Sequence, residues 1–228
     1  DSKKSGGVTI SHLRFGKEPI RSTYLIKKAN FVACHNPSYV DKYDMVSDLK
    51  EGGTFLLNCG WSVEELEEKL PAKMKKIIAE RNIKFYTIDG VSIAKEIGLG
   101  NRVNTVLQAA FFKLANIIPI EDAVKFMKDA IVASYGKKGE NIVNMNFAAV
   151  DQGIEKVHEV KVPAHWAEAT AEEEAAATKD VPEFIKNILE PMNRQEGNSL
   201  PVSAFVGRED GTFPQGTAKY EKRGIAVD

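Results

Sequence analysis

The sequence has 228 residues, 43% hydrophobic and 28% charged, with a formal net charge of −1 at pH 7. This composition is typical of a soluble globular protein of one large or two small domains, and the near-neutral charge gives no general attraction to nucleic acid or acidic lipid. No apolar run approaches the roughly 20 residues that a membrane-spanning helix requires, so we expect neither a nucleic-acid nor a membrane partner.

The two cysteines lie in separate apolar runs and form no CxxC pair. Cys34 and Cys59 alone cannot supply a four-cysteine zinc or cluster site, and the four histidines show no metal-site spacing. The simplest interpretation is a reducing, intracellular environment, and we expect a cytoplasmic protein with no metal site in these residues.

Short apolar runs alternate with amphipathic segments over the first ninety residues. Ser62 and Glu65 form a capping-box pattern, and Pro71 is typical of a first helical turn. Strands are predicted at 8–15, 20–26, 30–35, 54–59 and 84–89, and helices at 38–49, from 62 onward and at 71–78. This alternation predicts an α/β domain with a mainly parallel sheet and helices on its faces.

Polar side chains stand where three of the predicted strands end. They are Asn36, Asn58 and Asp89. Ligands of such sheets collect at the carboxyl ends of the strands, so this edge is where we expect a ligand.

The second half of the chain changes in composition at Val162 and Pro163. Before that point, apolar stripes predict packed helices at 103–117, 120–131 and 143–157. After it, only a short helix at 182–189 is predicted, and the tail is rich in glycine and proline. We therefore expect an α/β domain at 1–162 and a small, irregular, mostly coil linker domain at 163–228, which lies against another domain.

The first candidate binding segment is the start of the sequence, with Lys3, Lys4, Ser5 and Gly6. Glycine permits close approach of the backbone to a ligand, and lysine adds positive charge for phosphate. The alternative is a solvated turn that leads into a strand.

The second candidate is the glycine-containing loop at 98–104, before the strongest predicted helix. Free N–H groups and the helix dipole make such a start an anion site, with Asn101 as the cap and Arg102 and Asn104 facing the ligand. The alternative is an ordinary glycine loop with an asparagine cap. The spacing is not the dinucleotide fingerprint, which disfavours a classical NAD site.

Three asparagines, Asn141, Asn144 and Asn146, cluster near the start of a predicted helix although asparagine is a poor helix former. They indicate either hydrogen bonds to a ligand or partner, or capping with a buried contact between domains. No catalytic group is predicted. The residues thus favour an α/β domain for a phosphate-bearing ligand.

Three long stretches resemble the pyruvate:ferredoxin (flavodoxin) oxidoreductases. They are residues 1–16, 100–112, and 194–205 with 210–226. The resemblance covers nearly the whole chain and implies the three-layer α/β fold of the gamma-type domain of 2-oxoacid:ferredoxin oxidoreductases, followed by a linker domain. It also implies that the chain is a fragment, without the first strand, glycine-rich turn and helix of that domain.

In this family, pyruvate and coenzyme A become acetyl-CoA and carbon dioxide, and electrons pass to ferredoxin or flavodoxin. Thiamine diphosphate, Mg²⁺ and 4Fe-4S clusters carry the chemistry, usually in a homodimer of long chains. The resemblance implies that those cofactors bind outside these 228 residues and that the fragment is inactive alone.

The gamma-type domain is associated with coenzyme A, so the resemblance implies a coenzyme A site in this chain. Its residues would be Lys3, Lys4, Ser5, Gly6, Asn101, Asn104 and Asn144. The lysines would contact phosphate, and the asparagines would bind polar groups of the coenzyme. The alternative is a structural module that makes no ligand contact and holds the other domains of the same polypeptide in register.

Overall fold

The computed structural model describes residues 8–21, 25–170 and 181–220. Backbone contacts divide the chain into two units. The larger is Phe15–Glu172, and the smaller combines Asp1–Arg14 with Glu173–Asp228. No helix in these described ranges is long and apolar enough to cross a lipid bilayer.

The larger unit contains a four-stranded sheet in the order β1-β2-β3-β4. The strands are β1 Ala29–Cys34, β2 Leu49–Asn58, β3 Lys84–Ile88 and β4 His158–Val160. The first three are parallel, and β4 is antiparallel to β3. The prediction of a mainly parallel α/β sheet is confirmed.

The described residues of the larger unit include six α-helices. They are α1 Val63–Lys69, α2 Ala72–Glu80, α3 Gly90–Glu96, α4 Asn104–Ala115, α5 Ile120–Tyr135 and α6 Glu140–Glu155. The predicted capping box is present, since the Ser62 side chain accepts from Glu65 N–H while the Glu65 carboxylate accepts from Ser62 N–H. Pro71 lies immediately before α2, where its missing N–H costs no helical hydrogen bond.

Helices cover both faces of the sheet, which gives three layers. Alternation along β2 directs Phe55 and Leu57 to one face, where they pack with residues of α1 and α2. Leu56 points to the opposite face and packs with residues of α3, α4 and α6. Helix α5 adds an outer contact through Met127 and Ile131, next to Ala109 and Val150 of α4 and α6.

The crossing of α4 and α6 is unusually close at Gly153. A Cβ atom added there would lie 2.4 Å from the carbonyl oxygen of Val106 and 3.0 Å from the Cβ of Ala109. The two helices can therefore approach this closely only because position 153 has no side chain.

A polar cluster anchors the segment after β4 to α1 and α2. The Glu67 carboxylate accepts hydrogen bonds from Trp166 Nε1–H at 2.5 Å and Lys75 Nζ at 3.0 Å, and lies 3.0 Å from His165 Nε2. The Trp166 ring is buried and lies beside Phe85 of β3. The hydrogen bond from Trp166, with those from Lys75 and His165, outweighs partial desolvation and lowers the pKa of Glu67 to about 2.

The strands predicted before β1 are wrong where the structure describes them. Residues 8–21 contain no strand, and Ile10, Leu13 and Phe15 are each more than half exposed. Alternating apolar residues form a strand only when a neighbouring strand satisfies their backbone groups. The second predicted strand includes residues 22–24, which lie outside the described residues.

The helix predicted at 38–49 is also wrong. A single 3₁₀ turn, Pro37–Tyr39, is followed by irregular turns, and Leu49 already belongs to β2. Asp44 accepts hydrogen bonds from the Ser47 N–H at 3.1 Å and the Ser47 hydroxyl at 2.6 Å. Such local side-chain bonds compete with helical hydrogen bonds and favour a turn.

The described part of the smaller unit is irregular, as predicted. Its helical segment has a π-helical stretch, Ile185–Leu189, that continues into α7, Glu190–Asn193. Short 3₁₀ turns follow at Gly197–Ser199, Val202–Phe205 and Thr217–Tyr220.

Candidate functional site at the carboxyl ends of the parallel strands

A cavity of about 440 Å³ opens where β1, β2 and β3 end. Its lining residues are His35, Asn36, Pro37, Asn58, Cys59, Gly60, Asp89, Val91, Asn101 and Val103. The structure thus brings together the three polar residues that the sequence places at strand ends. This is the edge where ligands of parallel α/β sheets bind.

Asn58 is the buried support of this cavity. Its Nδ2 donates to the carbonyl of His35 at 2.9 Å, and its Oδ1 accepts from the N–H of Gly90 at 2.9 Å. One side chain therefore links the end of β1, the end of β2 and the start of α3. Because both ends of the buried amide bind the protein's own backbone, the main role of Asn58 is to hold the shape of the cavity wall.

Asp89 supplies a carboxylate to the same wall. Its Oδ1 accepts from the N–H of Ser92 at 3.0 Å and caps α3. A Cβ added at Gly60 would lie 2.6 Å from Asp89 Oδ2. The glycine after β2 is therefore what allows this carboxylate to lie against the neighbouring loop.

The two cysteines near this edge are free thiols. Burial raises the pKa of the Cys34 thiol to about 11, opposed in part by a backbone hydrogen bond with Asn36. Burial also raises the pKa of Cys59, and the negative charge of Asp89 adds to this effect. Both thiols are protonated at neutral pH, which makes them weak nucleophiles and poor metal ligands.

Asn101 lines the cavity, but it does not cap the following helix. Helix α4 has Val103 as its N-cap, and no described side chain accepts from the N–H groups of its first turn. The expectation that Asn101 caps is wrong, because Asn101 lies in a tight turn two residues before the N-cap, with Gly100 at φ +62° and a hydrogen bond from Val103 N–H to Asn101 O.

The other sequence candidates lie apart from this cavity or outside the described residues. Asn104 is the exposed first residue of α4, and Asn144 is exposed on α6; neither lines the cavity. Its neighbour Asn146 is buried, where its Oδ1 accepts from the Thr105 hydroxyl at 3.2 Å and its Nδ2 donates to Ile142 O at 2.9 Å. This residue joins α4 to α6.

The lysine and glycine candidates at the start of the sequence, Lys3, Lys4, Ser5 and Gly6, lie outside the described residues. The cavity also uses residues that the sequence did not single out, among them Gly60 and Val91. The only sequence feature that could have predicted them is their position, because each follows closely after the end of a strand.

No described group of three or more His, Cys, Asp or Glu side chains is placed to hold a metal ion. The sequence has two cysteines, so it cannot by itself supply the four thiolates of a cubane cluster. The residues present do not fit such a group, and no chemical step is assigned to one.

The sheet and its two helical layers define an α/β domain with a cavity at the carboxyl ends of its parallel strands. Residues 1–156 match the family model described as pyruvate ferredoxin/flavodoxin oxidoreductase. Residues 170–226 match a domain of unknown function. The chain therefore belongs to the pyruvate ferredoxin/flavodoxin oxidoreductase family, as the resemblance predicts.

Curated relatives match over the whole chain. A pyruvate:ferredoxin oxidoreductase of Moorella thermoacetica is 59% identical over 228 residues, and a pyruvate-flavodoxin oxidoreductase of Enterobacter agglomerans is 58% identical over 228 residues. A pyruvate dehydrogenase [NADP(+)] of Cryptosporidium parvum is 46% identical over 254 residues. The chain spans 19%, 19% and 13% of the length of these relatives, respectively.

Among solved structures, the pyruvate oxidoreductase subunit PORC of Thermotoga maritima is similar with a TM-score of 0.46 and 19% sequence identity. The similarity covers 60% of this chain and 67% of that one.

Proposed function

We propose that these residues act within a cytoplasmic enzyme that converts pyruvate and coenzyme A to acetyl-CoA and carbon dioxide and passes the electrons to ferredoxin or flavodoxin. The full-length match to relatives with these names, at up to 59% identity, carries the proposal. The two free thiols agree with a reducing compartment.

In this proposal, thiamine diphosphate, Mg²⁺ and the 4Fe-4S clusters are bound by other residues of the enzyme, which acts as a homodimer. The 228 residues alone do not turn over pyruvate. Adding pyruvate, coenzyme A and an electron acceptor to the isolated chain is expected to give no acetyl-CoA, and steady product formation would refute this assignment.

The contribution that we propose for this chain is a coenzyme A site at the cavity. The supporting observation is that Asn101 and the start of α4, whose first turn lacks a described side-chain cap, lie at a cavity on the carboxyl edge of the sheet. The N–H groups of such a helix start favour phosphate oxygens. Asn101 would add an amide hydrogen bond in the cavity, Asn104 and Asn144 would do so for parts of the coenzyme that extend beyond it, and the segment with Lys3, Lys4, Ser5 and Gly6 would contact phosphate.

Amide hydrogen exchange of the intact natural protein, with and without coenzyme A, tests this proposal. We expect protection of the amides of residues 35–36, 58–60, 89–91 and 101–104, with α2 unchanged as an internal control. A triple variant, Lys3→Ala, Lys4→Ala and Asn104→Ala, is expected to bind coenzyme A more weakly. Unchanged affinity would refute the assignment of those three residues.

A second role, in the assembly of the enzyme, is favoured by apolar exposure in the smaller unit. Val202 is 90% exposed and Val206 is 75% exposed. A protein that keeps its normal assembly but shows no coenzyme-dependent protection at the cavity would support this role in place of coenzyme binding.

A further inference from the structure

The charge of the cavity bears on which part of a ligand enters it. Among the described lining residues there is no lysine or arginine; Asp89 brings the one carboxylate and His35 an imidazole. A phosphate beside that carboxylate would meet a like charge with no lysine or arginine of the lining to offset it. The described wall therefore suits an uncharged group.

The hydrogen-bonding groups left to a ligand are few and specific. Asn36 Oδ1 accepts from the N–H of Ser38 at 3.1 Å, which leaves its Nδ2 as a donor. Asn58 is used at both ends by the protein. The side chains of His35 and Asn101 and the carboxylate of Asp89 are the other polar groups of the lining, so the cavity offers amide donors, an imidazole and one carboxylate acceptor.

The remaining wall is apolar. Pro37, Cys59, Val91 and Val103 line the cavity between these polar groups. Its volume of about 440 Å³ lies within the roughly 300–1,000 Å³ that small-molecule sites occupy. A slender, neutral chain with amide and hydroxyl groups separated by methylene and methyl groups would match this lining.

We propose that the cavity takes the neutral pantetheine arm of coenzyme A, while the phosphates stay outside it towards the start of α4. This inference rests on the proposed function. Asp89 accepts a hydrogen bond from the hydroxyl or an amide N–H of the arm, and is thereby a specificity-determining residue. Asn58 and Gly60 act as positioning residues, since one fixes the strand ends and the other leaves room for the carboxylate.

The variant Asp89→Asn separates this role from the capping role of the residue. Asparagine caps helices about as well as aspartate, so α3 and the fold are retained. The substitution removes the negative charge and turns part of the acceptor into a donor. The sign of its effect on binding therefore reports which part of the coenzyme lies beside residue 89.

The test compares two probes in the intact natural protein by calorimetric titration. The probes are coenzyme A and adenosine 3′,5′-bisphosphate, which is the charged nucleotide end without the arm. We expect Asp89→Asn to weaken coenzyme A about tenfold, the loss of one hydrogen bond to a charged acceptor. Binding of the bisphosphate should stay within about twofold.

The control variant is Asp129→Asn, which removes the same charge from an exposed position of α5. It should change neither affinity. Tighter binding of coenzyme A to Asp89→Asn would mean that a phosphate lies at the carboxylate, and unchanged binding would mean that the arm does not contact it; either result overturns the inference.

Failure of the inference and failure of the proposed function are distinguishable. If coenzyme A protects the cavity amides in the wild type but Asp89→Asn binds it equally well or better, only the inference about the arm is wrong. If coenzyme A leaves the wild-type cavity amides unprotected, the proposed coenzyme site is wrong and the inference falls with it.

Discussion

Replacing Gly153 by alanine should destabilise the larger unit although alanine is the better helix former. The added Cβ would lie 2.4 Å from Val106 O, well inside the 3.4 Å at which ordinary van der Waals contact begins. Because the clashing oxygen belongs to the backbone of α4, relief requires one helix to move away from the other.

The magnitude follows from two opposing effects. Overpacking of this kind costs about 3 kcal/mol, the upper part of its usual range, because a backbone atom cannot rotate away. The gain in helix propensity from glycine to alanine offsets about 1 kcal/mol. The net loss is about 2 kcal/mol, which shifts a urea midpoint by about 0.7 M if the slope is about 3 kcal/mol per M.

Urea unfolding followed by circular dichroism measures this loss, and Gly136→Ala provides the matched control. Gly136 also has a right-handed helical φ of −53°, but an added Cβ there would meet Val132 Cγ1 at 3.9 Å. The control should change stability by less than about 0.5 kcal/mol. Equal stability of the two variants would refute the claim that the α4–α6 crossing depends on the missing side chain.

Three further outcomes can be measured on the same chain. The hydrogen bond from Trp166 holds the pKa of Glu67 at about 2, against a usual 4.5, so the stabilisation by the Glu67 carboxylate is present above pH 4.5 and is lost as the pH falls towards 2. Because the Glu67 side chain is 42% exposed, Glu67→Gln should lower the free energy of unfolding by only about 0.5–1 kcal/mol at pH 7. Urea unfolding repeated at decreasing pH should show this difference vanish. A constant difference down to pH 2 would contradict this. Asn58→Ala should cost about 2 kcal/mol, because a buried carbonyl and N–H lose their partner, and amide exchange at Gly90 should accelerate; unchanged exchange there would show that the link is dispensable. In a Cys59→Ser background, iodoacetamide alkylation of Cys34 should be slow at pH 8 and keep rising about tenfold per pH unit past pH 9, as a pKa of about 11 requires, whereas a plateau near pH 9 would show an ordinary thiol.

The strands, helices and caps that were correctly predicted are determined mainly by residues close together in the sequence. The capping pattern at Ser62 and the apolar run of β2 each follow from a few neighbouring residues, and both are present. The absent strand at 8–15 shows the limit of such patterns, since alternation does not reveal whether a partner strand exists. β4, with three residues, is too short to show any periodicity.

The candidate site was predictable in position but not in detail. The rule that ligands bind at the carboxyl ends of strands predicted that Asn36, Asn58 and Asp89 lie at one edge of the sheet, and all three line the cavity. The approach of Asp89 to Gly60 depends on two segments separated by α1, α2 and β3, so no local pattern reveals it. Asn101 was predicted to cap α4; it lies instead in the turn at Gly100 that precedes the helix, and from that turn it lines the cavity.

The division of labour around Asn58 has a consequence for how this domain can diverge. Apart from the buried Cys59, and from Gly60 where a side chain would meet Asp89, the other lining residues lie in connections or helix starts, where exchange of a side chain disturbs less interior packing. The amide at position 58, in contrast, ties two strands and a helix from the inside. Substitutions in the loops can therefore alter the lining of the cavity while the Asn58 amide keeps the ends of β1 and β2 and the start of α3 in place.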